Sequence, residues 1–260
     1  MLIDAHSHLD HYRENLHSVI EEIERHRIFT INVAVDVPSY QKNLEIAAMS
    51  HLILPTFGIH PWKASEYAGR LDELKDLIKT SPMLGEIGLD YHWVEDAVQY
   101  PAQRQVLEFF LAAAREQNKI VNLHTKGAEE EILHLLDRYR IERSIIHWYS
   151  GPLDILDKFI ERGAYFTVGI EVLYSEHIKN IARRIPTAQL LTEMDNPGGA
   201  KWLNGNIGMP AMLIQVVEAI APLKQTTPNQ LTQLVQENFL RLINGDPGLA
   251  NVYKLFKAEE

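Results

Sequence analysis

The 260-residue chain contains no cysteine. Disulfide bonds, thiolate-bound metals and cysteine nucleophiles are therefore excluded, so a metal site would have to be built from histidine and carboxylate side chains. The sequence also lacks an apolar run near the ~20 residues that span a bilayer. The residues after Met1 show neither the basic nor the apolar segment of a signal peptide. We therefore expect a cytoplasmic protein that does not contact a membrane.

Positive charge is scarce as well. The chain has 25 Lys and Arg residues against 35 Asp and Glu, and this formal net charge of −10 argues against broad electrostatic attraction to nucleic acid. A nucleic-acid substrate is not excluded, because bound divalent cations would supply positive charge locally at the site. Histidine is plentiful: the 12 histidines outnumber both methionine and phenylalanine.

Short apolar runs rich in β-branched residues alternate with longer amphipathic stretches. Eight runs are predicted as strands: Leu2 to His6, Thr30 to Val35, Ile53 to Gly58, Met83 to Ile87, Ile120 to His124, Ser144 to His147, Ala164 to Val168 and Gln189 to Glu193. The helices predicted between them include Leu16 to Arg27, Tyr40 to Ser50, Arg70 to Thr80, Ala102 to Asn118, Glu129 to Tyr139 and Leu153 to Arg162. Strands that are apolar on both faces and separated by helices indicate a parallel sheet.

Eight such strands favour a closed barrel over an open sheet, since (β/α)₈ barrels commonly fill about 250 residues. We predict an α/β protein in which residues 1–260 form one TIM barrel domain. From Met209 onward the pattern predicts two further helices, the second spanning Asn229 to Ile243, and no linker or repeat suggests a boundary.

Residues of the types that bind metal stand where these strands end. His6 and His8 close the first strand, and side chains two positions apart in extended backbone point the same way. Four later strands end in the same manner, at Glu86, His124, His147 and Asp195. Polar groups that end apolar strands are costly unless they are paired or ligated. Because all strand C-termini of a barrel share one rim, where active sites of this fold lie, we expect these residues to form one metal site.

Four histidines, one glutamate and one aspartate are more ligands than one ion needs, so we predict two divalent ions. Glu86 is placed to bridge them, and a water or hydroxide between the ions would be the nucleophile. Asp195 is expected both as a ligand and as the general base that orients or deprotonates this water. Imidazole suits Zn²⁺, while the carboxylates also allow Mg²⁺ or Mn²⁺, so the sequence leaves the metal open.

Longer motifs around these residues resemble the TatD family of metal-dependent deoxyribonucleases, a branch of the amidohydrolase-like metal-dependent hydrolases. The motifs cover nearly the whole chain in the family's order: Asp4 to Asp10, Gly58 to Trp62, Gly85 to Tyr91, Leu123 to Lys126, His147 to Gly151, Thr192 to Pro197 and Glu237 to Leu242. The resemblance implies that His6, His8, Glu86, His124, His147 and Asp195 are the metal ligands. It also implies divalent-metal-dependent hydrolysis of DNA, often 3′ to 5′ on single strands.

Two loops depart from the family pattern. The family usually has Thr-Arg-Asp after the strand-five histidine, where this chain has Thr125-Lys126-Gly127. Lys keeps the charge but lacks the bidentate fork of Arg. After Pro197, the family's basic segment is replaced by residues 198–206. The metal centre therefore matches the pattern, while the loops that would contact the substrate differ from it.

Four residues are predicted as substrate contacts: His60, Lys126, Tyr91 and Trp148. His60 would hydrogen-bond the scissile phosphate or, alternatively, order its loop. Lys126 would meet a phosphate or remain solvated. Rim aromatics can stack bases of a single strand, at roughly 1–3 kcal/mol each, or else pack the loops. The other aromatic candidates are Trp62, His92, Trp93 and Trp202.

Two further acids and six histidines receive different expectations. Asp90 and Glu193 are expected to orient ligand histidines rather than to bind metal. The remaining histidines fall within or beside predicted helices outside the barrel and are assigned no chemistry: His11, His17, His26, His51, His134 and His177.

The leading functional hypothesis is a nuclease-type phosphodiesterase acting on single-stranded DNA ends. The same metal centre would also suit hydrolysis of another ester, a small phosphoester or an amide. A third alternative is a metal-binding regulatory subunit that has lost turnover, against which the intact ligand set argues. We expect a monomer.

Overall fold

The computed structural model describes residues 1–258 and contains eight parallel strands. They are β1 (Leu2–Ser7), β2 (Ile28–Val33), β3 (Ile53–Thr56), β4 (Leu84–Gly88), β5 (Val121–His124), β6 (Ser144–Ile146), β7 (Tyr165–Val168) and β8 (Leu190–Thr192). All eight predicted strands are confirmed, and their ends differ from the predicted ones by no more than two residues.

The strands close into a barrel through two seams. Regular pairing gives the orders β1-β2-β3 and β4-β5-β6-β7-β8. At the first seam Phe57 and Leu84 form a parallel bridge between β3 and β4. At the second seam the backbone N–H of Asp195 donates to the carbonyl of His6 at 2.9 Å, which joins the end of β8 to β1. The predicted α/β barrel is confirmed, and the second seam brings two predicted ligands together.

Helices surround the barrel. They are α1 (Leu16–His26), α2 (Val37–Ala47), α3 (Ala64–Tyr67), α4 (Lys75–Thr80), α5 (Tyr100–Gln117), α6 (Glu129–Arg138), α7 (Leu153–Glu161), α8 (Glu176–Arg184), α9 (Gly198–Asn204), α10 (Leu213–Leu223), α11 (Pro228–Ile243) and α12 (Ala250–Lys257). Short 3₁₀ segments include Leu9–Asn15 after β1, Pro61–Lys63 after β3 and Ile170–Leu173 after β7. No helix among residues 1–258 is long and apolar enough to cross a membrane.

The helix predictions need two corrections. Residues Ala68–Leu74 form a 3₁₀ segment and α4 begins only at Lys75, because Arg70 has non-helical backbone angles. After Met209 the chain forms three helices rather than two. The additional helix, α12, is short, and it is held by Phe256, whose ring lies 5.2 Å from Phe29 and 5.5 Å from Phe239.

Gly58, just beyond β3, allows two strands to approach closely beneath the ligand-bearing rim. A Cβ at this position would lie 2.2 Å from the backbone oxygen of Glu86. We predict that Gly58→Ala lowers the free energy of unfolding by about 1–3 kcal/mol, because two backbone segments must separate to admit the methyl group. Urea denaturation measures this loss.

Gly69 provides the matched control, since a Cβ there would meet nothing within 4 Å. Gly69→Ala is expected to change the free energy of unfolding by less than about 0.5 kcal/mol. Equal destabilisation by the two substitutions would contradict the close-packing explanation.

Candidate metal centre

The six predicted ligands lie at the C-terminal ends of the barrel strands, and their side chains converge. His6 and Glu86 lie inside β1 and β4, and His124 ends β5. His8 and His147 directly follow β1 and β6, and Asp195 follows β8 after Glu193 and Met194. Their side chains are buried or nearly so, and Asp195 is the most exposed of them at 22%. The structure therefore brings together the whole ligand set.

Glu86 stands at the centre of this cluster, and its two carboxylate oxygens face different histidines. Oε2 lies 3.4 Å from His6 Nε2 and 3.3 Å from His8 Nε2. Oε1 lies 2.9 Å from His124 Nδ1 and 3.1 Å from His147 Nε2. A carboxylate whose two oxygens each lie close to histidine nitrogens is placed so that it could bridge two cations.

Asp195 completes the side of the cluster that Oε2 of Glu86 faces. Its Oδ1 atom lies 3.3 Å from His8 Nε2 and 3.9 Å from His6 Nε2. Ligand atoms of these three residues all lie within 4.8 Å of one another. Two further groups of this kind share Glu86, one with His6 and His147 and the other with His60 and His124. His6 Nε2 is buried without a hydrogen-bond partner. This unpartnered nitrogen beside two carboxylates fits a divalent cation that accepts its lone pair.

Each ligand histidine has one ring nitrogen held outside the cluster, while the other faces it. The outer contacts are His6 Nδ1 to Asn122 Oδ1 at 2.9 Å, His8 Nδ1 to the Val33 carbonyl at 3.2 Å, His124 Nε2 to Asp90 Oδ2 at 3.0 Å and His147 Nδ1 to Glu193 Oε2 at 3.3 Å. All four partners are acceptors, so the outer nitrogens carry the protons. The inner nitrogens face the carboxylates of Glu86 and Asp195, and they would present lone pairs to a metal once they lose the protons that they donate there.

Asn122 makes this assignment firm for His6. The Asn122 amide nitrogen donates to the Ala5 carbonyl at 2.9 Å, which turns Oδ1 toward the imidazole. An amide oxygen can only accept, so Nδ1 of His6 is the donor.

His60 differs from the four ligand histidines in its tautomer. Its Nδ1 accepts the backbone N–H of Trp62 at 3.2 Å, so the ring proton must be on Nε2. Nε2 faces Glu86 Oε1 at 3.4 Å. Burial lowers the pKa of His60 and keeps the ring neutral. His60 therefore offers an N–H donor at the cluster rather than a lone pair.

The carboxylates of the cluster are ionised. Burial works to raise the pKa of Glu86, but the surrounding imidazoles of His60, His6 and His147 and the hydrogen bond from His124 hold it well below its usual range. Burial also opposes ionisation of Asp195, whose pKa is nevertheless lowered by its hydrogen bond to His8. The cluster is thus negatively charged wherever its histidines are neutral, and cations would be attracted to it.

The pKa values of two histidines, His8 and His147, are raised. Burial works to lower the pKa of His147, but the charges of Glu193 and Glu86 raise it to about 10. The pKa of His8 is likewise raised well above its usual range, against burial, by hydrogen bonds to Asp195 and Glu86. In the metal-free protein, protons on these rings balance the carboxylates. Metal ions would displace those protons, so their binding is linked to pH.

Two acids outside the cluster hold ligand histidines, as expected for Asp90 and Glu193. Glu193 accepts from His147 and from the backbone N–H of Trp148 at 2.9 Å. Asp90 accepts from His124 and from the indole N–H of Trp62 at 2.7 Å. Burial opposes this charge, but the hydrogen bond from His124 lowers the pKa of Asp90 to about 2.

We predict that Asp90→Asn weakens metal binding by about 10- to 100-fold, because the amide no longer fixes the tautomer and orientation of His124. Competition with a chromogenic chelator measures the affinity. Asp96→Asn is the matched control, since Asp96 lies in the same loop and contacts only the backbone N–H of Val98 in its own turn. A similar loss in both variants would point to loop damage instead.

Three of the four predicted substrate contacts are engaged within the protein. Lys126 Nζ donates to the Trp148 carbonyl at 2.8 Å and to Ser150 Oγ at 2.7 Å. The Tyr91 ring stacks on Tyr100 at 4.0 Å, and its hydroxyl bonds Glu131. Trp148 is only 8% exposed. In the structure these three side chains help to order the loops, and of the four only His60 reaches the metal cluster. Contact with a substrate stays a prediction for all four.

His11 was expected within or beside a helix outside the barrel, with no chemical role, and this expectation missed its position. The segment Leu9–Asn15 is instead a 3₁₀ segment, and the ring of His11 stacks on His8 at 5.2 Å. Its side chain is 49% exposed and lies 3.7 Å from Asp10. His11 thus lies at the mouth of the metal cluster. Its position directly after a ligand-bearing strand was the available signal.

Comparison with known proteins identifies the family of the chain. A family model described as TatD related DNase matches residues 3–244. The uncharacterized metal-dependent hydrolase YabD of Bacillus subtilis is 28% identical over 253 residues, which cover 93% of this chain and 98% of that protein. The human deoxyribonuclease TATDN3 is 24% identical over 263 residues, covering 93% of this chain and 94% of its own.

Solved structures share the fold. The TatD homologue YJJV of Escherichia coli superposes with a TM-score of 0.83 at 21% sequence identity, and the alignment covers 93% of this chain and 97% of that one. Identity this low shows the barrel architecture alone.

Proposed function

Since the chain belongs to the family of TatD-related DNases and is a metal-dependent hydrolase of ester bonds, we propose that it cleaves phosphodiester bonds at the ends of single-stranded DNA. The observation that carries this proposal is the position of Glu86, with ligand nitrogens on both carboxylate oxygens. Such a centre suits a reaction in which charge builds up on both the attacking and the leaving oxygen of a phosphate.

The proposed ligand assignment follows the two sides of Glu86. His6, His8 and Asp195 would hold one divalent ion, His124 and His147 the second, and Glu86 would contact both. When bound, the ions supply Lewis acidity, which polarises phosphoryl oxygens and lowers the pKa of water. Imidazole-rich sites favour Zn²⁺ or Mn²⁺, and the carboxylates also admit Mg²⁺.

Asp195 is proposed as the general base. It is the most exposed residue of the cluster, and its lowered pKa keeps it ionised at neutral pH. Its backbone adopts a left-handed conformation with φ of 49°, which is held by the hydrogen bond to His6. Asp tolerates this conformation better than most residues. The carboxylate is thereby fixed at the mouth, where it can accept a proton from the attacking water.

His60 is proposed to bind the scissile phosphate. A neutral imidazole with its proton on Nε2 can donate to a non-bridging phosphate oxygen without competing for a cation. His60 suits this role because the backbone N–H of Trp62 occupies its Nδ1, which leaves Nε2 as the donor even in the neutral ring.

A second candidate is hydrolysis of a small phosphoester by the same centre. It is favoured by Lys126, whose ammonium is bound inside the protein and is not offered to a DNA backbone. The net charge of −10 also disfavours a long anionic substrate such as DNA relative to a small phosphoester.

Substrate competition tests the proposal. Purified protein with Mg²⁺, Mn²⁺ or Zn²⁺ is incubated with end-labelled single-stranded DNA, duplex DNA and bis(p-nitrophenyl) phosphate. Stepwise shortening of the single strand, several-fold faster than of the duplex, supports the proposal. Turnover of the small diester without any DNA cleavage would replace it with the second candidate. No hydrolysis of any substrate by the metal-loaded protein would contradict both.

A further inference from the structure

All four tryptophans of the chain follow barrel strands on the face that holds the metal cluster. Trp62 follows β3, Trp93 follows β4, Trp148 follows β6 and Trp202 lies in α9 after β8. Three of them are strongly exposed: Trp62 at 57%, Trp93 at 47% and Trp202 at 62%. Large apolar side chains left exposed together mark a contact surface. We call Trp62, Trp93 and Trp202 the tryptophan rim.

The rim is tied to the metal cluster through Asp90. One oxygen of this carboxylate accepts the indole N–H of Trp62 at 2.7 Å, and the other accepts the backbone N–H of Trp93 at 2.7 Å. The oxygen that binds Trp62 also accepts from the ligand histidine His124 at 3.0 Å. Two of the rim residues are therefore held in place relative to the metal cluster.

Helix α9 supplies the third rim residue. The ring of Trp202 packs edge-to-face on Trp93, with centroids 5.4 Å apart, and on buried Trp148 at 6.3 Å. Gly199 allows this packing, because a Cβ there would come within 3.1 Å of the Trp148 ring. The segment that departs from the family pattern thus adds an aromatic side chain, with Lys201 as the one basic residue of α9.

Charge decides what this surface binds. The chain carries a net charge of −10, and Lys126 is already bonded within the protein, so electrostatic attraction for a phosphate backbone is weak. Planar apolar faces beside a phosphodiesterase centre match nucleobases, which stack on aromatic rings regardless of sequence. Bases inside a duplex are stacked on one another and do not offer their faces.

We infer that the tryptophan rim binds the unpaired bases of single-stranded DNA and so makes the enzyme selective for single strands. The inference rests on the proposed function. Stacking on the rim, rather than backbone charge, supplies most of the binding.

Binding without hydrolysis is measured by tryptophan fluorescence. In EDTA, the protein is titrated with an oligothymidylate and with an abasic strand of the same length and charge. Because every tryptophan lies on this face, base stacking is expected to quench the emission. The abasic strand is expected to bind at least about tenfold more weakly.

Substitution of Trp202 identifies the surface. Trp202→Ala is expected to weaken oligothymidylate binding about tenfold and to raise KM for this strand with kcat unchanged. Trp202→Phe should retain most of the affinity, and neither change should alter turnover of the abasic strand. Leu44→Ala is the control, since Leu44 is 46% exposed on the outer helix α2.

The outcomes separate this inference from the proposed function. If DNA is cut but bases and Trp202 make no difference to binding, the rim is not the binding surface and the proposed function stands. If wild-type protein cuts no DNA, the proposed function fails, and the inference falls with it. A dimer that dissociates in Trp202→Ala, with DNA binding unchanged, would show that the rim joins two copies of the chain and would also overturn the inference.

Discussion

Glu86→Gln is expected to abolish hydrolysis and to lower metal affinity by at least about 100-fold, the largest effect that we predict. The substitution keeps the size of the side chain but removes the charge that both of its oxygens share. The negative charge beside His6 and His8 at Oε2 would be lost, and so would the negative charge beside His124 and His147 at Oε1. The amount of metal bound per protein is measured by inductively coupled plasma mass spectrometry after gel filtration.

Glu131→Gln is the control for this substitution. Glu131 is also a hydrogen-bonded carboxylate, but it pairs with Arg104 and the Tyr91 hydroxyl outside the metal cluster. This variant should bind metal as the wild type does. Retention of full metal content and activity by Glu86→Gln would contradict the bridging role.

Asp195→Asn is expected to lower kcat by about 10²- to 10⁴-fold, the range that general-base catalysis commonly contributes. The amide keeps the shape of the side chain but cannot take a proton. The pKa of Asp195 is lowered, so the wild-type carboxylate is ionised across the neutral range. Its backbone bond to His6 is unaffected, and the melting temperature should change little. Single-turnover cleavage of labelled DNA at saturating metal isolates the chemical step.

Asp154→Asn controls for the loss of one negative charge, since Asp154 is an exposed acid at the start of α7. It should leave kcat unchanged. A fall of less than tenfold in Asp195→Asn would assign the base to another group, of which His11 is the nearest candidate because its exposed ring stacks on His8.

The barrel could be predicted from the sequence because its signals are local. Each strand is a short, largely apolar run, and the helices between the strands show apolar stripes. The proposed ligand set came from the same pattern: residues such as His124 end an apolar strand, where an unpaired polar group would be costly. Knowing that barrel strands share one rim was enough to bring the ligands together.

The internal partners of the predicted substrate contacts could not be predicted, because they lie far apart in sequence. Tyr91 was expected on the rim, but its hydroxyl bonds Glu131, 40 positions later. Lys126 is held by Trp148 and Ser150 from the next loop. Residue type alone does not distinguish a lysine that meets a phosphate from one that ties two loops together.

The role of His60 illustrates a second limit. A histidine near a metal site can be a ligand or a donor, and the choice depends on which ring nitrogen carries the proton. The backbone N–H of Trp62 makes that choice here, through a turn whose geometry the sequence does not reveal. Short elements were also hard to predict: α9 has seven residues and α12 eight, too few for a clear periodic signal.

Anomalous diffraction from crystals grown with Mn²⁺ tests the account most directly. We predict two peaks, one contacted by His6, His8 and Asp195 and the other by His124 and His147, with Glu86 between them and His60 contacting neither. A single peak, or a peak ligated by Nε2 of His60, would contradict the two-ion centre and the assignment of its residues.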